Sequence, residues 1–272
     1  MGERYAGSRA WITGGGSGIG RALALELARQ GARVAVSGRR ADRLEQTAGE
    51  VSALGAEGLA LACDVTEEAE VARSADAAAD ALGGLDLVVA NAGFAVGGPV
   101  ETLDAAAWRR QLDVNVVGAA LTARHALPHL RASRGRLGLV GSVAAFVGMP
   151  GAAAYCASKA ALRALGQSLS AELAGTGVSC TTVHPGYVES EIGQVDNEGV
   201  FDPERPDRRP KNLMWTAEDA AKVMLRAIHR RSREHVFTTH GKAIAFAGQH
   251  FPGLMLGMVG RQTARRRSRR RR

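Results

Sequence analysis

Hydrophobic and polar positions along the chain follow two alternating rhythms. Short, nearly unbroken apolar runs recur, and between them lie longer stretches whose apolar positions fall three and four residues apart. The short runs predict strands over 9–13, 33–37, 58–63, 85–90, 136–140, 178–183 and 235–238. The longer stretches predict helices over 19–30, 43–53, 67–82, 105–131, 155–173 and 217–230. Runs such as Leu85-Asp-Leu-Val-Val-Ala90 are nearly continuous in apolar residues, which is the pattern of strands buried on both sides in a parallel sheet. Strand and helix alternating in this way imply a doubly wound α/β domain over 1–240, a seven-stranded and mostly parallel sheet with helices on both faces. Thr66 and Thr216, each followed by acidic residues, are expected to cap the helices behind them.

Two regions break the rhythm. Residues 190–215 carry Pro203, Pro206, Pro210 and many charges without a period, and so long a connection in a compact domain predicts a lid over a binding site. Beyond 240, Phe251, Leu254, Met255, Met258 and Val259 stand at helical spacing after Pro252, predicting an apolar helical extension over 241–260. Residues 261–272 hold eight arginines and no acid, and disorder is expected there. The formal charge of +8 belongs to this tail, because the other 260 residues balance 27 basic against 27 acidic side chains. Three roles fit the extension. It can cover a substrate cavity or subunit interface, or anchor the protein at an anionic membrane surface. The third, non-specific nucleic-acid binding, is not expected, since no groove-reading motif accompanies the tail.

Composition narrows the classes. A chain of 272 residues, 46% hydrophobic and 23% charged, excludes whole-chain disorder, collagen and coiled coil. Cys63, Cys156 and Cys180 form neither a C-x-x-C pair nor a ligand spacing, and the histidines lack zinc spacing, so neither a disulfide framework nor a metal site is expected. No secretory signal precedes the first strand. The most apolar stretch, 243–259, is broken by Gln249, His250 and Pro252. A cytoplasmic protein is expected, peripheral to the inner face of a membrane if the extension is an anchor.

The chemistry begins at Thr13-Gly14-Gly15-Gly16-Ser17-Gly18-Ile19-Gly20, between the first strand and the first helix. Glycines there allow a tight turn and let a pyrophosphate approach the backbone at a helix N-terminus, the arrangement of a Rossmann dinucleotide site. Sites for NAD place a carboxylate about 20 residues on, whereas NADP sites use arginine. The second strand ends Val36-Ser37-Gly38-Arg39-Arg40, with no acid, so NADP(H) is expected over NAD(H), with Arg39 as the chief contact of the 2′-phosphate.

Tyr155 and Lys159 stand four apart on one helical face, where an ammonium would lower the phenol's pKa and fit it for proton transfer. Ser142 ends the preceding strand, Asn91-Ala92-Gly93 follows the fourth, Asn115 lies in the next helix, and Pro185-Gly186 follows the sixth strand. Open α/β sheets bind ligands at such strand ends. Trp11, Trp108 and Trp215 are expected to be packing residues, with Trp215 also a candidate for the cavity wall, and His184 is expected to be structural.

With these motifs in order, residues 8–240 resemble the short-chain dehydrogenase/reductase family in its main single-domain branch. The resemblance implies Tyr155 as acid/base and Lys159 as its partner and a ligand of the nicotinamide ribose. It implies Ser142 as the substrate-orienting hydroxyl and Asn115 as holder of a relay water. The cofactor would be bound by Gly14, Gly16, Ser17, Gly18, Ile19, Gly20, Arg39, Asp64, Val65, Asn91, Ala92, Gly93, Pro185, Gly186, Val188 and Ser190. Among these, Asp64 and Val65 would meet adenine, and Val188 the carboxamide. Ser17 stands where some members carry a basic residue, leaving discrimination to Arg39, and Ser190 where many have threonine. The implied activity is hydride transfer between nicotinamide and a small carbonyl compound or alcohol, lipophilic if the extension is a membrane anchor, in a homodimer or homotetramer. The alternatives are a catalytically silent regulatory or scaffold protein on the same fold and, more weakly, an epimerase or dehydratase.

Overall fold

In a computed structural model, residues 4–207 and 209–270 are described. Seven parallel strands form one sheet: β1 (Arg9–Thr13), β2 (Arg33–Gly38), β3 (Gly58–Ala62), β4 (Leu87–Ala90), β5 (Arg136–Val140), β6 (Ser179–His184) and β7 (Glu234–Val236). Their order is β3-β2-β1-β4-β5-β6-β7, so the chain reverses its direction of travel across the sheet between β1 and β4. A cleft at the carboxyl ends of the strands follows from that reversal.

Along β1 the side chains alternate between two buried layers. Ala10 and Ile12 join the side covered by α1 (Gly18–Arg29), α2 (Ala41–Ala53) and α7 (Ala217–His229). Trp11 enters the opposite layer, under α3 (Glu68–Leu82), α5 (Gly118–Ser133) and α6 (Ala153–Glu172). Trp11 is fully buried and its indole N–H donates to Ser37 Oγ at 3.0 Å, which satisfies the one polar atom it takes inside.

Four expectations need correction. The helix expected over 105–131 is α4 (Ala105–Leu112) and α5, joined by a π turn at Asp113–Val117. Such a turn takes up one extra residue so that both helices keep their buried faces, and it has no composition signal of its own. Thr66 does not cap α3. Its amide and hydroxyl both donate to Asp64 Oδ1, and α3 starts one residue later, whereas Thr216 accepts from Asp219 N as expected. The region after β7 forms two helices, α8 (Thr239–His250) and α9 (Pro252–Arg270), because Pro252 cannot donate to the preceding turn. Helix continues through Arg270 where disorder was expected, while Arg271 and Arg272 lie outside the described residues. Among the described residues no helix is long and apolar enough to cross a membrane.

Candidate active site

The glycine turn leaves β1 and runs directly into α1. Gly14 has a positive φ of 66°, and a Cβ there would lie 2.8 Å from Ala92 Cα, so only glycine fits. At Gly20 a Cβ would collide with the Gly14 carbonyl, and at Gly18 it would lie 3.0 Å from Ser190 Cβ. The Asn91 amide donates to Thr13 O at 2.9 Å and Gly14 O at 3.0 Å, while the Thr13 hydroxyl accepts from Asn91 N and Ala92 N. Asn91 therefore shapes the turn, its amide group being used on the backbone.

Helix α1 begins without a side-chain cap from Ser17 and without an acid in its first turn. Its leading N–H groups and positive end are left for an anion, and the bare glycine backbone lets one come close. These features fit a dinucleotide's pyrophosphate. Beyond β2, Arg39 is exposed and Arg40 half-buried, with Arg40 Nη2 donating to Ser17 Oγ at 3.1 Å. Val65 is buried against Gly118, and Asp64 turns its carboxylate back on Thr66.

The second half of the cluster lies past β4, β5 and β6. The π turn carries Asn115 inward, where it is 1% exposed. Its Oδ1 accepts from Phe94 N at 3.1 Å, and its Nδ2 donates to Phe94 O and Ser158 Oγ, each at 3.0 Å. It thus ties the loop after β4 to α6, and Gly93 lies against both Asn115 and Lys159. Ser142 caps a short turn after β5, its hydroxyl accepting from Ala144 N at 3.1 Å. Lys159 is 4% exposed and donates to Val140 O at 2.9 Å, with its ammonium 5.8 Å from the centroid of the Tyr155 ring.

Burial dominates the electrostatics here. It pushes the Tyr155 phenol above its ordinary range, against a pull downward from the Ser142 hydroxyl and a smaller one from Arg209. It also lowers Lys159 to about 8. A phenol acidified by Lys159 was expected from the spacing. The structure corrects this, because desolvating the phenolate outweighs the charges around it.

Past β6, Pro185 O accepts from Val143 N, linking this loop to the Ser142 turn. Gly186 packs on Thr238 and His240 too closely for any side chain. Val188 is buried, and Val188 and Ser190 receive Arg209 of the lid: Nη1 donates to Val188 O at 2.9 Å and Ser190 Oγ at 3.1 Å, and Nη2 to Ser190 O at 2.6 Å. Trp215 packs on Phe237 and the core, and its remaining exposed side lines two surface pockets together with Met214. The structure thus gathers the predicted residues at the carboxyl ends of β1 to β6. Among the described residues no cluster of three acidic, histidine or cysteine side chains could hold a metal.

The sequence pattern of the short chain dehydrogenase family matches residues 8–200. The chain belongs to that family. It is similar to cis-4-hydroxycyclohexanecarboxylate dehydrogenase of Sinomonas cyclohexanicum, 34% identical over 84% of this chain and 96% of that one. A short chain dehydrogenase of Burkholderia cenocepacia, solved in complex with NADP, aligns with a TM-score of 0.76 and 31% identity over 86% and 96% of the two chains. One from Burkholderia phymatum, in complex with NAD, aligns at 0.80 and 29% over 92% and 94%. This protein is accordingly an oxidoreductase of the short-chain dehydrogenase type, acting on a small molecule.

Within this short-chain dehydrogenase, two groups of residues escaped the sequence reading. Arg40, rather than Arg39, touches Ser17 of the glycine turn, while Arg39 donates to Gly199 O; the tandem pair after β2 is the available signal. His184, fully buried, contacts Ser142 O at 3.1 Å and Glu234 Oε1 at 2.9 Å, while Arg163 donates to Glu234 at 2.5 and 3.1 Å. The bond to His184 first, and Arg163 beside it, hold Glu234 down at about 2. Nothing in the spacing of residues 163, 184 and 234 announces this network.

Proposed function

We propose that the protein is an NADP(H)-dependent carbonyl reductase or secondary-alcohol dehydrogenase with Tyr155 as its acid/base. The observation that carries this reading is the convergence of Tyr155, Ser142 and the buried Lys159 beside a glycine cradle whose helix end is uncapped. NADP(H) is favoured because Arg39 and Arg40 follow β2 with no acid between them. A bound nicotinamide would supply or accept the hydride. For reduction, the Ser142 hydroxyl and the Tyr155 phenol hydrogen-bond the carbonyl oxygen. Tyr155 then gives its proton to the developing alkoxide, its raised pKa suiting it to that donation. Lys159, charged below about pH 8, stabilises the phenolate left behind, and Asn115 keeps the loop carrying Gly93 in place against it.

The test is NADPH oxidation with a panel of ketones and aldehydes, cyclic ketones first because the Sinomonas relative is named for a hydroxycyclohexane. Tyr155→Phe should lower kcat by at least about 10³-fold while NADPH affinity stays within about threefold. Full activity in that variant would refute the assignment.

We further propose that the C-terminal helices rest on an anionic membrane surface, which would favour a lipophilic substrate. Phe246, Phe251, Leu254, Leu256 and Met258 are each more than half exposed, and the arginines from Arg261 onward follow them. Leu254 and Met258 of the expected apolar stripe face solvent, as either an anchor or a subunit interface would require. Near anionic lipid each arginine contributes about 1 kcal/mol. Full-length protein should float with anionic vesicles and not with neutral ones, and Leu254→Glu with Met258→Glu should abolish flotation. Sedimentation as a dimer lost in the same variant, without flotation, would assign the face to a second copy instead.

A further inference from the structure

The lid reaches back across the cleft to the two arginines that face the 2′-phosphate place. Arg40 Nη2 donates to Glu191 Oε2 at 2.5 Å while also touching Ser17 Oγ at 3.1 Å, and Phe201 lies 5.6 Å from its guanidinium carbon. Arg39 Nη2 donates to Gly199 O at 3.0 Å. Glu191 opens the lid directly after Ser190, whose Cβ lies against the glycine turn at Gly18. A lid carboxylate therefore sits on the guanidinium that the dinucleotide's extra phosphate would need.

We infer that Glu191 is a cofactor-discriminating residue: it occupies Arg40 as an internal anion and weights the site against NADP(H) relative to NAD(H). This rests on the dinucleotide reading above. The sign is the same whichever way the lid responds. If Glu191 leaves Arg40, a charge-assisted bond at 2.5 Å is given up before the phosphate gains one. If it stays, a carboxylate faces a phosphate across one guanidinium, and the like charges repel. NAD(H) carries a hydroxyl at that position and disturbs neither the pair nor its charge balance. With side chains 40% and 24% exposed, the pair is partly screened, so the expected effect is moderate. Because Glu191 and Gly199 both belong to the lid, the phosphate that takes Arg39 and Arg40 also releases two of the lid's ties.

The experiment is fluorescence titration of the full chain with NADPH and with NADH, for wild type, Glu191→Gln, Arg40→Gln and the double variant. Glu191→Gln should tighten NADPH about five- to tenfold and leave NADH within about twofold. Arg40→Gln should weaken NADPH, and in its background the gain from Glu191→Gln should vanish. Equal changes for both dinucleotides, no change for NADPH, or a gain that persists without Arg40 would each overturn the inference. Failure of every variant and the wild type to bind either dinucleotide would overturn the functional reading itself, and the inference with it.

Discussion

The rim of the sheet and the lid that covers it are held by different kinds of contact. At the rim, Asn115, Lys159, Thr13 and His184 are at least 96% buried, and each is bonded to backbone of a neighbouring element. In the lid the ties are side chains near the surface: Asn197 exchanging bonds with Gly97, Arg110 reaching Asn197 O, Arg40 on Glu191 and Arg209 on Ser190. Breaking a buried polar contact leaves a desolvated partner behind, whereas an exposed one is replaced by water. The fold thus fixes the rim and leaves the covering segment adjustable. Chemistry should be sensitive at the rim, and selectivity in the lid.

That contrast can be broken at several points. The largest effect is expected from Lys159→Met, which should lower kcat by about 10³-fold with the fold intact, measured by stopped-flow and circular dichroism. A smaller effect of the same origin is a pH profile. With Lys159 at about 8, kcat/KM for reduction should fall as pH rises through that value, and a flat profile to pH 10 would remove the ammonium from the mechanism. Stability moves oppositely, since burial penalises the charged amine fully below about 8 and the penalty lifts toward the unfolded value of 10.5.

Asn115→Ala should cost about 2–4 kcal/mol, because the amides of Phe94 and the hydroxyl of Ser158 lose their partner, read as a Tm loss of roughly 4–16 °C. Glu234→Gln should cost about 1–3 kcal/mol at pH 7. Its folded pKa is depressed to about 2 from 4.5, so its contribution is complete above 4.5 and is lost as pH falls toward 2. The melting curves of wild type and variant should therefore converge in acid. Asn197→Ala is expected within about 0.5 kcal/mol of wild type in stability, yet faster to be cleaved within 191–215 by protease. If Asn197→Ala destabilised the protein as much as Asn115→Ala, the distinction between rim and lid would fail.

Much of this was legible in the chain. The buried strands announce themselves because both their faces are apolar, and the glycine turn because its glycines stand between a strand and a helix, where Ala92, Val36 and Ser190 leave little room for a Cβ. Tyr155 and Lys159 stand out because a helix places residues four apart on one side, and Ser142 because it follows the end of a buried strand. What stayed hidden depends on distance or on geometry without a composition signal. Asn197 meets Gly97 a hundred positions away, and the fully buried His184 meets Glu234 only because β7 lies beside β6. The state of Tyr155 was misjudged for a related reason: spacing reports which charges are near, but not how much water has been removed.

The widened turn at Asp113–Val117 has a consequence for engineering. A regular α-helix over the same span would hydrogen-bond better, but removing one residue to obtain it would rotate everything beyond by about 100°. Asn115 would swing away from Phe94 and Ser158. A shortened variant should therefore lose stability together with turnover, because Phe94 and Ser158 are left unpaired and the apolar face of α5, with Ala119, Ala123, Ala126 and Leu130, turns away from the sheet.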